Sequence, residues 1–371
     1  MNIQNVERVE VYYKNRYVGL ISKKEDGSTS FIYSSAWLEN GFSISPFLLP
    51  LESKEFICDD YLIGFIFGVF QDCLPDSWGN YLTDKYLASK GINPNHISSL
   101  TRLTLLNEDS LGALTFKPCF LEKFSDQFKD FDDIKHFIDE LFTEHKDFDE
   151  KMFDLYHKGS PTGGSRPKVN YCFDNDDYIV KFPSKWDEPE CGYKEFQMNE
   201  LARKCGLNVP DFKLVSSKEC KGYFATKRFD RVNGEKVHVI SLAGLFNLDP
   251  SLSQIHYKGF LQTVKALCPI DLEEAIRRMV FNYLIDNKDD HPRNFSFVYD
   301  ESNNCYRLAP FFDITSTPKI NEHMMQVNGK DDPSIEDFIA DVTSIGFNKK
   351  RFIEIFEELK NIVKEVYPTR Y

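Results

Sequence analysis

Apolar and polar positions alternate through Val9-Glu10-Val11-Tyr12-Tyr13 and again through Val18-Gly19-Leu20-Ile21, with Lys14-Asn15-Arg16 between the two runs. A period of two marks a half-buried strand, so this stretch predicts a hairpin. Ser30-Phe31-Ile32-Tyr33 adds a strand after the turn residues Glu25-Asp26-Gly27-Ser28. The period then lengthens: Pro75-Asp76-Ser77-Trp78 reads as a helix start, and Trp78, Tyr81, Leu82, Tyr86 and Leu87 fall close to one helical face. Gly112 to Phe116 returns to strand. From Phe120 to Asp154 the chain is rich in Phe and acidic residues, with Phe131, Ile134, Phe137, Ile138 and Leu141 at helical spacing. Its charges are expected on a solvated helix face.

The middle of the chain alternates again. Lys168–Phe173 and Tyr178–Phe182 predict a hairpin turning through Asp174-Asn175-Asp176-Asp177, followed by a helix over 194–204 that ends at Gly206. Val209–Val215 and Tyr223–Lys227 read as strands. Beyond about 241 the long periodic segments are helical, at Gly259–Leu267, Leu272–Asp286 and Lys349–Tyr367. The plan is a mixed α/β first part joined to a mainly helical second part near 230–245, without repeats or low-complexity linkers.

Charge changes the picture. Among 371 residues, 45 Lys and Arg stand against 58 Asp and Glu, a net charge of −13. Gripping nucleic acid or an anionic membrane unaided needs the opposite sign. No apolar run approaches the roughly 18 residues that cross a bilayer, and the first eight residues predict no signal leader. Nine scattered cysteines without a CxxC pair predict reduced thiols in a cytoplasm, not a disulfide framework or zinc site.

Three clusters carry candidate chemistry. Ser160-Pro161-Thr162-Gly163-Gly164-Ser165-Arg166-Pro167-Lys168 leads directly into a strand; paired glycines let backbone N–H groups approach a phosphate and a nearby Lys neutralise it, although such a pair can also be a plain turn. Lys181 sits inside the apolar strand 178–183, where either an anion or carboxylate such as Glu195 meets it, or it lies at an edge in solvent. The third cluster is Asn287 to Phe297, followed by Ala309-Pro310-Phe311-Phe312-Asp313-Ile314. Asp289 and Asn294 have the D-x-x-x-x-N spacing of a kinase catalytic loop, and Asp313 follows a short hairpin as a metal-binding Asp does. Phosphoryl transfer needs a phosphate-covering loop, a Lys, a hydroxyl-orienting Asp and Asn plus Asp for magnesium, and all occur here in that order. A Ser/His/Asp hydrolase would want G-x-S-x-G, which is absent. His291 lacks a second His at metal-ligand spacing and reads as a brace for the loop. The neighbours Asp289 and Asp290 are too close to flank one sugar.

These residues resemble the HipA family, the serine/threonine kinase toxins of bacterial HipBA-type toxin–antitoxin modules. The likeness runs over nearly the whole chain: Val18-Gly19-Leu20, Phe31 to Leu38, Leu48 to Leu51, Leu74 to Asn80 and Asp109 to Leu114 are similar to the amino-terminal subdomain. Gly163 to Lys168 resembles the Gly-rich loop, and Asp289–Phe297 with Pro310–Ile314 resembles the catalytic and metal-binding motifs. The resemblance implies an α+β, bilobal protein-kinase-like fold, with an N-terminal subdomain at 1–118, a nucleotide-binding part of the N-lobe at 119–236 and a helical C-lobe at 237–371. Typical full-length members are longer, which implies a trimmed helical lobe.

It further implies ATP and Mg²⁺ as cofactors. Backbone amides around Gly163, Gly164 and Ser165 would cover the phosphates, with Lys168 at the loop's end; Lys181 would contact phosphate, oriented by Glu195. Backbone groups of Lys227 and Phe229 would hold adenine. Asp289 would orient the substrate hydroxyl, with Asn294 and Asp313 on magnesium. Autophosphorylation of the loop silences the family's kinases, with Ser160, Thr162 and Ser165 as candidates. The implied partners are a small HipB-like helix-turn-helix antitoxin, through which alone DNA is met, and an aminoacyl-tRNA synthetase as protein substrate. Two other readings stand beside this one: a kinase-fold binding module acting as co-repressor, and a lipid kinase, which the acidic charge and lack of a basic amphipathic helix disfavour.

Overall fold

A computed structural model describes residues 5–106, 109–120, 126–143, 148–162, 164–249, 252 and 255–366. The chain divides into two compact units, one comprising 1–193, 212–240 and 244–247, the other 194–211, 241–243 and 248–371.

Among the described residues, the first unit contains two larger antiparallel sheets beside a two-stranded ribbon of Arg231–Val232 and Glu235–Lys236. In the five-stranded one, β1 (Arg8–Tyr13), β2 (Arg16–Lys23), β3 (Thr29–Tyr33), β4 (Glu55–Cys58) and β5 (Leu114–Lys117) are ordered β4-β3-β2-β1-β5. Val9, Val11 and Tyr13 are buried while Arg8 and Glu10 face out, which is the alternation read in the sequence. Tyr13 pairs with Arg16, so the turn is only Lys14-Asn15, both at positive φ (45° and 64°). A two-residue loop with that twist matches the strands it joins.

The second sheet orders β6 (Lys168–Phe173), β7 (Asp176–Lys181), β8 (Phe212–Val215) and β9 (Tyr223–Lys227) as β6-β7-β9-β8. Its first turn is shorter than expected. Asp174 and Asn175 alone make it, at φ 51° and 69°, and Phe173 pairs with Asp176. Asp and Asn tolerate this left-handed geometry because their short side chains bond locally. Over these strands pack α1 (Ser77–Ser89), α2 (Phe131–Thr143) and α3 (Glu150–Gly159). Trp78, Leu82, Tyr86, Ile134, Ile138, Leu155, Tyr156, Val169, Val180 and Phe182 form one core, with Tyr86 and Tyr156 stacked at 4.7 Å. Among the described residues of 126–154 the charged side chains are for the most part at least partly exposed, as expected. Asp154, by contrast, is fully buried and accepts the Gln127 N–H at 2.7 Å, with Lys158 at 3.0 Å.

His238, also in this unit, is fully buried with Nε2 at 2.8 Å from the Ile44 carbonyl. A carbonyl only accepts, so Nε2 carries hydrogen. Burial pushes the ring down to about 4, against the opposing pull of that hydrogen bond. The unfolded imidazole titrates near 6.5, so the unfolded chain takes up a proton first and stability falls as pH drops from about 6.5 toward 4. His238→Gln keeps a donor for Ile44 but does not titrate. Its thermal midpoint will vary less than the parent's between pH 7 and 5; equal slopes would refute this account.

The chain enters the second unit within α4 (Cys191–Lys204). The unit is built from α5 (Tyr257–Leu267), α6 (Leu272–Ile285), α7 (Ile335–Ser344) and α8 (Lys349–Val366), with a hairpin of β10 (Ser296–Asp300) and β11 (Cys305–Leu308). Ala275, Ile276, Met279, Val280, Phe281, Leu284 and Ile285 are all buried, so α6 is enclosed on nearly every side. The periodicity did not single out α7, whose start is signalled by Ser334-Ile335-Glu336-Asp337: Asp337 accepts both the N–H and the hydroxyl of Ser334, at 2.9 and 2.8 Å. Residue 367, expected to end α8, lies outside the described residues. Among those residues no helix is long and apolar enough to cross a membrane.

Candidate active site

In the second unit, α6 ends at Asp286, whose φ of 52° turns the chain off the helix. Thr317 clamps residues 286–288: its N–H and hydroxyl donate to the Asp286 carbonyl at 2.9 and 3.1 Å, and its oxygen accepts the Lys288 N–H at 2.7 Å. The Asp289 side chain is exposed. Pro292–Asn294 makes a single 3₁₀ turn, and Asn294 Nδ2 donates back to the Asp289 carbonyl at 2.8 Å. The five-residue interval is thus closed by a hydrogen bond, which leaves Asn294 Oδ1 as an acceptor. His291 Nε2 lies 3.9 Å from Asp289 Oδ1, beside the carboxylate but beyond hydrogen-bond reach, and its Nδ1 is buried without a hydrogen bond.

The hairpin then brings Asp313 back. Phe297 pairs with Leu308, and Ala309 N–H donates to the Ser296 carbonyl at 2.8 Å, so Asn294 and Asp313 leave the same end of the ladder. Phe311 is buried against the Arg278 guanidinium, 5.3 Å from its ring. Asp313 adopts φ 53°, a conformation non-glycine residues rarely hold outside constrained sites.

In the first unit, the loop before β6 is packed from below by α1. The Trp78 indole N–H donates to the Lys168 carbonyl at 3.0 Å. Asp76, at the N-cap of α1, makes no capping bond to its own helix; its Oδ2 accepts the Gly164 N–H at 2.6 Å. Gly164 has φ 91°, and a Cβ there would run into Lys168 Nζ, so the glycine lets the loop curl over that ammonium. Gly163 lies outside the described residues. Ser160 and Thr162 are buried, the Thr162 hydroxyl donating to the Gly159 carbonyl at 2.6 Å, whereas Ser165 is exposed.

Lys168 and Lys181 are direct cross-strand partners, 4% and 9% exposed. Opposed residues of an antiparallel ladder share a face, so the two lysines project from the same side of the sheet. Lys181 Nζ also lies 5.7 Å from the Phe224 ring. Lys227 pairs with Asp176 at 2.7 Å, and Phe229 is half-buried. Glu195 is buried on α4, in the second unit, where its carbonyl accepts Asn199 Nδ2 at 2.9 Å. The residues singled out in the sequence therefore fall into two groups, with 164, 165, 168, 181, 227 and 229 in one unit and 195, 289, 291, 294 and 313 in the other.

Sequence reasoning missed the clamp beneath 227–231. Asp230, 2% exposed, accepts from Arg228 Nε and Nη2 at 2.9 and 2.7 Å, from Arg231 at 2.7 Å and from the Gly112 N–H at 2.7 Å. Burial alone would raise its carboxyl; Arg228 and then Arg231 hold it below the usual range. Arg228 also donates to the carbonyls of Asp109 and Ser110, at 2.6 and 2.9 Å, tying 109–112 to the end of β9.

Asn294 and Asp313 offer one carboxamide oxygen and one carboxylate, hard donors of the kind Mg²⁺ takes when substrate phosphates and waters fill its other positions. Among the described residues no group of three or more His, Cys, Asp or Glu is placed to hold a metal alone. The donor set fits magnesium shared with a substrate rather than a closed protein cage.

Comparison with known proteins finds relatives of this chain. Y4dM of Sinorhizobium fredii, which carries a provisional kinase name, is 27% identical over 340 residues, 81% of this chain and 75% of that protein. A provisionally named kinase of Haemophilus influenzae is 28% identical over 209 residues, 50% of this chain and 60% of its own. The HipA structure of Shewanella oneidensis MR-1, solved with HipB and operator DNA, covers 96% of this chain and 89% of that one with a TM-score of 0.72 at 18% identity, which shows a common fold. The HipA N-terminal domain matches residues 9–117 and the HipA-like C-terminal domain residues 160–366. With that second match alone spanning more than half of the sequence, the chain belongs to the HipA family.

Proposed function

We propose that this chain is an ATP- and Mg²⁺-dependent kinase that phosphorylates serine or threonine hydroxyls of a protein target. The observation that carries this reading is the loop in which Asn294 closes back onto the Asp289 carbonyl and leads into the hairpin that ends at Asp313. In this reading Asp289 orients the acceptor hydroxyl and takes its proton, while Asn294 Oδ1 and the Asp313 carboxylate hold the metal. Bound magnesium neutralises charge on the β- and γ-phosphates. Lys168 and Lys181 attract those phosphates, Glu195 serves to orient Lys181, amides of the 163–165 loop cover them, and backbone groups of Lys227 and Phe229 take adenine. The corresponding division is 1–118, 119–236 and 237–371.

Of the three loop hydroxyls proposed for autophosphorylation, Ser165 has the best support, being the exposed one. The net charge of −13 suits docking on a basic, DNA-binding HipB-like antitoxin, with DNA met only through it. In this reading the protein target is an aminoacyl-tRNA synthetase. The setting in this reading is the cytoplasm, where the nine scattered cysteines would stay reduced.

Calorimetric titration with Mg·ATP tests the nucleotide site. The parent chain will bind, and Gly164→Ala, which strains the loop and displaces the Lys168 ammonium, will weaken binding by about tenfold, roughly 1.4 kcal/mol. No binding by the parent would instead favour the co-repressor reading.

A further inference from the structure

Asp290 sits beside the residue assigned to orient the substrate hydroxyl, yet its surroundings are the reverse of Asp289's. It is fully buried, and its carboxylate gathers donors from two other parts of the unit. Oδ2 accepts from the Tyr257 hydroxyl at 2.8 Å and lies 2.8 Å from His323 Nδ1; Oδ1 accepts the backbone N–H of Met324 at 2.9 Å and of Met325 at 3.4 Å. A carboxylate only accepts, so His323 Nδ1 carries hydrogen.

The donors are themselves held. Tyr257 Oη accepts from Asn282 Nδ2 at 2.9 Å, and Asn282 Oδ1 accepts from Asn287 Nδ2 at 2.9 Å, so the chain of bonds returns to the same loop on its other side. His323 is stacked on Tyr283 with ring centres 3.8 Å apart. Tyr257 N–H donates to the Gln326 carbonyl at 3.1 Å, and the Tyr283 hydroxyl accepts the Val327 N–H at 3.2 Å. Segment 323–327, ten residues beyond Asp313, is thereby fastened to α5, α6 and Asp290 together.

We infer that Asp290 is a positioning residue: its bonds to Tyr257, His323 and Met324 fix the peptide that carries Asp289, making the seating of segment 323–325 a condition for phosphate transfer. The inference rests on the kinase reading above. Fixed geometry is what such a role supplies, since a displacement of about 1 Å at a reacting group costs about a hundredfold in rate.

The test measures kcat, the KM for ATP and thermal midpoint for the parent, Asp290→Asn, His323→Leu and His323→Asn. Asp290→Asn will lower kcat by about a hundredfold and leave the KM for ATP within about threefold. His323→Leu will lower kcat by at least about tenfold, and His323→Asn, which keeps a donor near the Nδ1 position, will recover most of it. A lowered midpoint with kcat of the folded protein unchanged in both Asp290→Asn and His323→Leu would reduce Asp290 to a core carboxylate and overturn the inference. Should Asp290→Asn fail to fold, the two His323 variants decide. A parent chain that transfers no phosphate would sink the kinase reading and the inference with it, whereas an active parent with unaffected variants sinks the inference alone.

Discussion

Replacing Asp289 by asparagine will lower the rate of phosphate transfer by about a thousandfold and leave the fold and ATP binding intact. A positioned general base contributes about 10²- to 10⁴-fold, and an amide has no site for the transferred proton. The contacts that shape the loop run through other groups: it is the Asp289 carbonyl that Asn294 grips, Thr317 holds 286 and 288, and Asp290 supplies the buried anchor. Because the Asp289 side chain is exposed, its substitution should change stability by no more than about 0.5 kcal/mol. Equal kcat in parent and variant, with both folded, would remove Asp289 from the chemistry.

The second large effect is on stability. Asp230→Ala leaves Arg228 and Arg231 buried without the carboxylate they share, and orphans the Gly112 N–H as well. Breaking a buried ion pair from one side costs about 3–5 kcal/mol, because the remaining charge stays out of water. For a chain of this size that lowers the thermal midpoint by on the order of 10 °C. The pH dependence has a definite sign. The folded carboxyl titrates below its unfolded value, so its contribution is complete at neutral pH and is lost as pH falls below about 4. A midpoint within about 3 °C of the parent at pH 7 would mean that the network adds little.

Much of the architecture was legible in the sequence because local periodicity and local burial agree: β1, β2, α1 and α6 follow directly from the spacing of their apolar residues. The reading was weaker wherever partners are distant. A four-residue turn at 174–177 would have set Lys181 opposite Asn170; the two-residue turn Asp174-Asn175 sets it opposite Lys168 instead, and the cross-strand pairing of the two lysines follows from that one difference in register. Pro75-Asp76-Ser77-Trp78 does begin a helix, but the Asp76 carboxylate goes to Gly164, 88 residues away. Asp289 and Asp290 are indistinguishable as letters. They separate only because His323, thirty-three residues on, and Tyr257, thirty-three residues back, close around the second of them. The D-x-x-x-x-N interval stood out because its geometry is short-range, one 3₁₀ turn and one side-chain bond.

Phosphoryl transfer is the central claim, and it is tested most directly by incubating the purified chain with ATP and magnesium and sequencing its peptides by mass spectrometry. The account predicts phosphate within 159–168, on Ser165 as the exposed hydroxyl of the loop, and none in the Asp289→Asn protein treated alike. The absence of phosphate from this segment and from any added protein target, in a chain that is folded and supplied with magnesium, would contradict it.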